Sequence, residues 1–424
     1  MATVYYIGNA QKTAQVETAS VTAVAVNGTL TATINGKTIT YTVITGDTTS
    51  TAATGWNALL TASDAPPEFG EITWTVATNV ITAKAKVPGT PFQGMTDGLV
   101  FTAAGGAAVT QGHTTANSSP SDINNTKNWL RNSLNALPQA GDDIVLQNLI
   151  GVGLFWSLDT FNGVEFASVT QWRSFTGQVG LPIINPLGYR EYRLTYLRIG
   201  TIVSGSSSSV PSATLTVTLG VGAGSGSSLQ QYNVGAQKSI INVLSGGTVR
   251  ILGTHNSNIF TVVSATVIVG MENGELSNIA SATVDGGGAF NLGSGVTFVG
   301  TLTINSGLAT IFCAPPTMVI SNGSQITVGG RALTYTTITV SGGSVITWSS
   351  DSNITNLTLK TNSVFDKSKD ARAITITNYT IDGDTCRILD PLSTITALDG
   401  TVNGQVTNGP FTFAGPRRVR INVP

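Results

Sequence analysis

Side chains able to do chemistry are scarce in this sequence and widely spaced. The two histidines, His113 and His255 in Gly253-Thr-His-Asn-Ser257, have no His, Cys or carboxylate at ligand spacing around them and read as surface residues without a metal. Cys313 and Cys386 have no partner motif and read as reduced, packed thiols. Cleaving a glycosidic bond needs two carboxylates roughly 5–10 Å apart. Glu272, Glu275, Asp285 and Asp351 are instead scattered along the chain, and the first two bracket an Asn-Gly turn. The runs Asp285-Gly-Gly-Gly288 and Gly220-Val-Gly-Ala-Gly-Ser-Gly226 lack the Lys-Ser/Thr pair and the following helix of a phosphate loop, so they read as turns. The expectation is a protein that is not an enzyme and uses no cofactor or metal.

Binding is better represented than catalysis. Arg173, Arg190, Arg193 and Arg198 form the densest positive cluster and are interleaved with Tyr189, Tyr192 and Tyr196. Aromatic and arginine side chains are enriched together at protein interfaces, which marks these seven as a candidate subunit contact, with an anionic glycan as the alternative partner. Asp366-Lys-Ser-Lys-Asp-Ala-Arg372 has nearly balanced signs and reads as a solvated loop or an inter-subunit salt-bridge patch. Near the end, Phe411 and Phe413 stand close to Arg417, Arg418 and Arg420. These five are a candidate cap over an exposed sheet edge, or a strap onto a neighbouring subunit. With 21 basic and 22 acidic residues the net charge is -1, so no overall field draws in nucleic acid or anionic lipid.

The elements that must position these residues are mainly strands. Between Thr201 and Lys360 only eight side chains are charged, and short alternations such as Thr214-Leu-Thr-Val-Thr-Leu219 and Gly300-Thr-Leu-Thr-Ile-Asn305 are separated by Ser, Asn and Gly clusters. Apolar positions at Leu302/Ile304, Ile320, Ile338/Val340, Leu357/Leu359, Ile374/Ile376 and Ile395/Leu398 recur every 17 to 21 residues. A single coil of that length cannot bury its own apolar face, so the period predicts a parallel β-solenoid over residues 165–400. About twelve coils at ~4.8 Å each make a rod of roughly 55–60 Å. The alternative is an array of β-sandwich domains.

Residues 1–112 have a different rhythm. Strand-like stretches from Val21, Leu30 and Thr38 are joined by Asn27-Gly28 and Asn35-Gly36, which predicts a three-stranded meander. Ala52, Ala53, Trp56, Leu59 and Leu60 then recur at helical spacing, with Asp47 as the expected N-cap. A hairpin around Asn79 follows, and Trp56, Trp74 and Phe92 are the expected core. This small α+β unit precedes a Gly/Ser/Asn-rich linker over 113–127, a segment leading into the solenoid over 128–164, the solenoid itself, and a C-terminal cap or strap over 401–424. The opening residues lack the basic and apolar regions of a secretory signal, and no apolar run reaches the ~18–20 residues of a membrane span.

The series Asn35-Gly-Lys-Thr-Ile-Thr-Tyr-Thr-Val, Trp56-Asn-Ala-Leu-Leu and Lys86-Val-Pro-Gly-Thr-Pro-Phe92 resembles a small module of bacteriophage virion structural proteins. Leu137-Pro-Gln-Ala-Gly-Asp-Asp-Ile-Val-Leu146 is similar to the start of parallel β-helix regions in phage fibre-like proteins and bacterial surface proteins. Gly188-Tyr-Arg-Glu-Tyr-Arg-Leu-Thr-Tyr-Leu-Arg-Ile-Gly200 extends the similarity to phage virion proteins. The resemblance implies a head decoration or fibre-like protein of the particle surface, made in the host bacterial cytoplasm and carried on the virion. The implied partners are the major capsid protein or other virion proteins, and the Tyr/Arg cluster together with the uncharged Thr/Val-rich strand faces predicts a homotrimer. A tail fibre or tailspike that binds a host surface glycan is the alternative.

Overall fold

A computed structural model describes residues 2–92, 99–147, 152–162, 164, 166–172, 175, 177–199, 215–220, 229–233, 239–245, 247–252, 258–271, 277–383, 385–402, 405–407 and 411–412. Strand accounts for 50% of the chain and helix for 6%, so the fold is mainly β: a parallel β-solenoid with a small α+β module at its N-terminal end. About seven solenoid turns lie within residues 241–402.

The module is built on two antiparallel sheets. One contains β2 (Val16–Ala23), β5 (Ile72–Ala77), β6 (Val80–Ala85) and β8 (Ala108–Thr115); the other contains β3 (Thr29–Ile34), β4 (Lys37–Thr42) and β7 (Val100–Ala104). Asn35-Gly36, both at positive φ, closes the β3–β4 hairpin as expected. Asn27-Gly28 does not close a hairpin. The chain changes sheets there and pairs with Val43, so the predicted three-stranded meander is split between two sheets. Helix α1 (Thr49–Leu60) is capped by Thr48 in a reciprocal pair with Thr51, one residue after the expected cap. Asp47 instead accepts hydrogen bonds from the Ile44 amide, the Tyr41 hydroxyl and the Thr51 hydroxyl. Trp56, Trp74 and Phe92 lie in one buried core with Leu30, Phe69 and Phe101.

The first strand does not belong to the module. β1 (Thr3–Tyr6) is the base of the solenoid, parallel to β10 (Asp143–Leu146) on one side and antiparallel to β9 (Trp129–Arg131) on the other. Asp142 fastens this arrangement, accepting hydrogen bonds from the Ala2 amide and, at 2.7 Å, from the Arg131 guanidinium. Burial works to raise its pKa, but Arg131 and the Gln139 and Ala2 amides outweigh that and hold the carboxyl below the usual range. Tyr6, Trp129, Phe161 and Phe166 fill the base with edge-to-face contacts.

Residues 113–127 are not a free linker either. β8 runs to Thr115, Thr13 bridges to Ser118, Asp122 bridges to Trp156, and Ser119, Ser121 and Ile123 are buried. Ser and Asn in this stretch act as local hydrogen-bonding partners that fix its path, as when Asn125 donates to the Ser118 hydroxyl and the Ser119 hydroxyl accepts from the Ser121 amide.

Above the base, twelve strands from Ser168–Gln171 to Ile395–Val402 stack in parallel as eleven rungs among the described residues, Val296–Phe298 and Thr301–Asn305 sharing one rung, and a second ten-stranded parallel sheet faces them. Counting β1 and β10, the stack rises about 58 Å at ~4.8 Å per strand. Inward side chains meet rung to rung: Leu302 pairs with Met318, Met318 with Ile338, and Ile338 with Leu357. From Thr334–Val340 onward the long strands turn a corner, seen as two successive outward residues at 336/337, 355/356 and 377/378. This corner corrects the expected frame. Leu357 and Leu359 stack on Tyr379 and Ile381, whereas Ile376 continues Ile354, and the last inward pair is Ile395/Ala397 with Leu398 turned outward.

The turns between the sheets use residues that tolerate a left-handed backbone, such as Asn322-Gly323 and Gly342-Gly343. Inside them runs a serine ladder. Ser324 and Ser344 are fully shielded, the Ser344 hydroxyl accepts from the Ser324 amide, and the Ser324 hydroxyl accepts from the Gly307 amide. Ser344→Ala leaves the Ser324 amide without its side-chain acceptor, an expected loss of about 1–3 kcal/mol. Thermal denaturation of the variant checks this; an unchanged melting temperature would show the ladder to be energetically idle.

Asp366–Arg372 differs from the expected solvated loop. Lys367 is completely buried and sits 3.4 Å from Asp370, whose carboxylate also pairs with Arg372 at 2.6 Å. Burial lowers the Lys367 pKa despite Asp370, and Asp370 is pushed far down, chiefly by the Arg372 hydrogen bond. At the far end, residues 405–407 and 411–412 return antiparallel to the last full strand, with Phe411 opposite Ala397. Phe413, Arg417, Arg418 and Arg420 lie outside the described residues.

Candidate functional site

The Tyr/Arg cluster is gathered on a tight loop. Ile184 bridges antiparallel to Arg190, Gly188 takes positive φ, and the Asn185 side chain accepts from the Leu187 amide. The loop delivers Tyr189, Tyr192 and Arg193 onto Glu71 of the module. Arg193 is 7% exposed and donates to both Glu71 oxygens (2.8 and 3.2 Å), to both Glu191 oxygens (2.7 and 2.9 Å) and to the Pro91 carbonyl (2.6 Å). Its guanidinium also lies 5.1 Å from the Trp156 ring and 4.9 Å from the Tyr192 ring. Tyr189 and Tyr192 stack on each other, and both hydroxyls donate to Glu71.

One guanidinium thereby bridges two carboxylates in a junction shielded from solvent. For Glu191 burial works to raise the pKa, but the Arg193 hydrogen bond and charge outweigh it and hold the carboxyl low. The Tyr189 hydroxyl is pushed far up, first by burial and then by its hydrogen bond to Glu71. The interface signal in the sequence therefore serves a contact within one chain, between module and solenoid base. Of the other candidates, Arg190 is exposed, Arg198 packs on Tyr196 at 5.5 Å, and Arg173 lies outside the described residues.

Beside this junction opens a cleft of about 790 Å³. Three segments wall it: the edge of the module with Gln15, Glu17 and His113, the stretch 114–117 with Asp122, and residues 155–159 with Tyr192 and Arg193 beside them. Backbone bonds tie the walls together, since the Trp156 amide donates to Ser121 and the Ile123 amide to Trp156. Glu17 is buried at 4% side-chain exposure, accepts from Gln15 and Gln111, and lies 3.3 Å from the exposed His113 imidazole. That pair follows from the β2–β8 register, and local spacing in the sequence gave no sign of it. Asn117 Oδ1 and Asp159 Oδ1, both on cleft-lining residues, are shielded from solvent and have no hydrogen-bond partner among the described residues.

Compared with known protein families, characterised proteins and solved structures, the chain matches none of them.

The other residues weighed for chemistry have structural roles or lie outside the described residues. Asp285 accepts from the Gly286 amide and the Asn305 side chain, and Asp351 accepts from the Ala332 amide. Cys313 and Cys386 are buried free thiols, and burial pushes Cys313 up to about 12. His255, Glu272 and Glu275 lie outside the described residues. Among the described residues no group of three or more His, Cys, Asp or Glu is placed to hold a metal, and no helix is long and apolar enough to cross a membrane.

Proposed function

We propose that the chain is a structural component of a bacteriophage particle, a head decoration or fibre-like protein on its surface. The observation that carries this reading is the outer face of the stack. Thr303, Val319, Thr339, Thr358, Thr380 and Thr401 follow one another rung by rung in an uncharged ladder along the rod. Cross-strand Thr pairs stabilise the sheet, and an uncharged column suits close packing against a neighbour without desolvating charge. The partners proposed are the major capsid protein or other virion proteins, with two further copies of the chain in a homotrimer. The base end, where the module is riveted to the solenoid, is the proposed attachment end, and the far coils project. The resemblance of the module sequence to virion proteins supports the same reading.

Mass spectrometry of purified particles separated into heads and tails tests the placement, with the full chain expected in one fraction at stoichiometric amounts. Absence from intact particles would sink it. Sedimentation of the isolated chain should give a trimer at micromolar concentration, and a stable monomer would remove the homotrimer. A second reading, a fibre that grips a host surface glycan, is favoured by one feature, the cleft at the module junction.

A further inference from the structure

We infer that residues 419–423 close the far end of the solenoid as one more strand, laid antiparallel along Arg387–Leu389 of the same chain. Arg387–Leu389 is the last strand of the ten-stranded sheet and pairs on one edge only, with Val364–Asp366. The first sheet ends differently, because residues 405–407 and 411–412 return along its last strand. Among the described residues, one sheet end is covered and the other is open.

The open edge has a defined pattern. The Arg387 amide donates to the Ser363 carbonyl and the Leu389 carbonyl accepts from the Lys367 amide, both toward the preceding rung. Alternation along the strand then aims the N–H and C=O of Ile388 at the open side, where an antiparallel neighbour satisfies both through the single residue opposite. Ile388 is buried and Arg387 is exposed. The residue opposite Ile388 must therefore be apolar, with polar residues on either side of it.

Val419-Arg-Ile-Asn-Val423 has that alternation, and the existing register leads toward the edge. Phe411 lies opposite Ala397 and Thr412 opposite Thr396, so the chain at Thr412 is running back over the last coil toward Leu389. Carried on unchanged, this register would put Arg420 opposite Ile388 and turn it inward. One extra residue puts Ile421 there instead, and Gly415-Pro416 in the intervening span suits such an irregular step. One residue fewer would put Val419 there, but would also set Arg420 directly against Arg387, and like charges opposite one another are unfavourable. Ile421 opposite Ile388 sets Asn422 against Arg387 and Arg420 against Leu389. A second copy carries the same strand, but the tail already paired at Thr412 meets the edge at the high effective concentration of a short tether. Closing the edge also removes a template for end-to-end pairing of rods. The inference concerns the end of the stack and does not rest on the chain being part of a particle.

Disulfide trapping in the full chain tests it. In the double variant Leu389→Cys/Arg420→Cys the thiols face each other across a non-hydrogen-bonded pair, where Cα atoms lie about 4.5 Å apart, a separation that a disulfide spans. Both native cysteines are buried. Oxidised glutathione should join the new pair within one chain, read by peptide mass mapping after separation under denaturing conditions. Thr327→Cys/Arg420→Cys should stay reduced, because Thr327 lies three rungs below Leu389 on the same column, about 14 Å away. Ile421→Pro removes the amide that meets the Ile388 carbonyl, and should speed hydrogen exchange at the Ile388 amide by about tenfold, the scale of one hydrogen bond, while the Ile346 amide in mid-stack keeps its protection. Cross-linking between chains would assign the edge to a neighbour's tail and overturn the proposal. So would a Leu389/Arg420 pair that closes no faster than the Thr327/Arg420 pair, or Ile388 exchange unchanged in Ile421→Pro.

Discussion

Arg193→Met is expected to destabilise the protein by about 3–5 kcal/mol, the cost of removing one partner from a buried ion network. The side chain is 5% exposed and the carboxylates it bridges are also buried, Glu191 at 1% and Glu71 at 10%. Deleting the guanidinium leaves two carboxylates and the Pro91 carbonyl short of a donor, and removes the cation beside Trp156 and Tyr192. Arg193→Lys keeps the charge but cannot bridge both carboxylates and stack on a ring, so it should recover only part of the loss. Hydrogen exchange is the discriminating readout. Backbone amides around residues 154–158 and 185–193 should lose protection together with those of the module edge near Glu71, while coils beyond residue 300 keep theirs. Equal protection in wild type and Arg193→Met would mean that the junction is not held by this residue.

The same junction gives a pH dependence with a definite sign. Glu191 and Asp142 both have folded pKa values below the ordinary range. A carboxyl depressed on folding contributes stability that is fully present above its unfolded pKa, about 4, and is lost as pH falls through the folded value. The base and junction should therefore loosen below about pH 4, ahead of the mid-solenoid coils. Arg193→Met should flatten the Glu191 part of this dependence, because the partner that lowers the carboxyl is gone.

The coils were readable in the sequence where strands are straight. Leu302, Ile304, Ile338 and Val340 announce their inward faces by simple alternation, and the Asn-Gly and Gly-Gly turns between them mark the coil ends. Reading failed where geometry inserts two outward residues at a corner. Leu398 looked inward by spacing alone, but the phase change at 398/399 turns it out and puts Ala397 in its place. Long-range pairing was the other blind spot. Nothing near Thr3 signals that it lies beside Asp143, and nothing near Arg193 points to Glu71. The Tyr/Arg composition revealed an interface but not whose, since one chain folding on itself and two chains meeting use the same side chains. The cleft was invisible for a related reason: Glu17, Asn117 and Asp159 come from three distant segments, and each alone looks like a turn or strand residue.

Trp348→Ala should cost about 3–5 kcal/mol, as expected for truncating a fully buried aromatic side chain. Trp348 is 0% exposed, meets Tyr335 edge to face at 4.9 Å and lies 5.6 Å from Phe365 of the next rung. In a stack each coil is supported only by its neighbours, so the cavity should weaken a band of coils about residues 325–366. Denaturation should then separate into two steps, with the coils on either side of the band no longer melting together. Trp348→Phe gives the sharper comparison. The indole Nε1 is buried with no acceptor among the described residues, so Phe removes an unpaired donor while keeping most of the ring. The lost volume and the relieved donor oppose each other, and the net change should be below about 1.5 kcal/mol. If Phe costs as much as Ala, the Nε1–H is satisfied in the folded protein and the coil interior is more polar than its lining indicates.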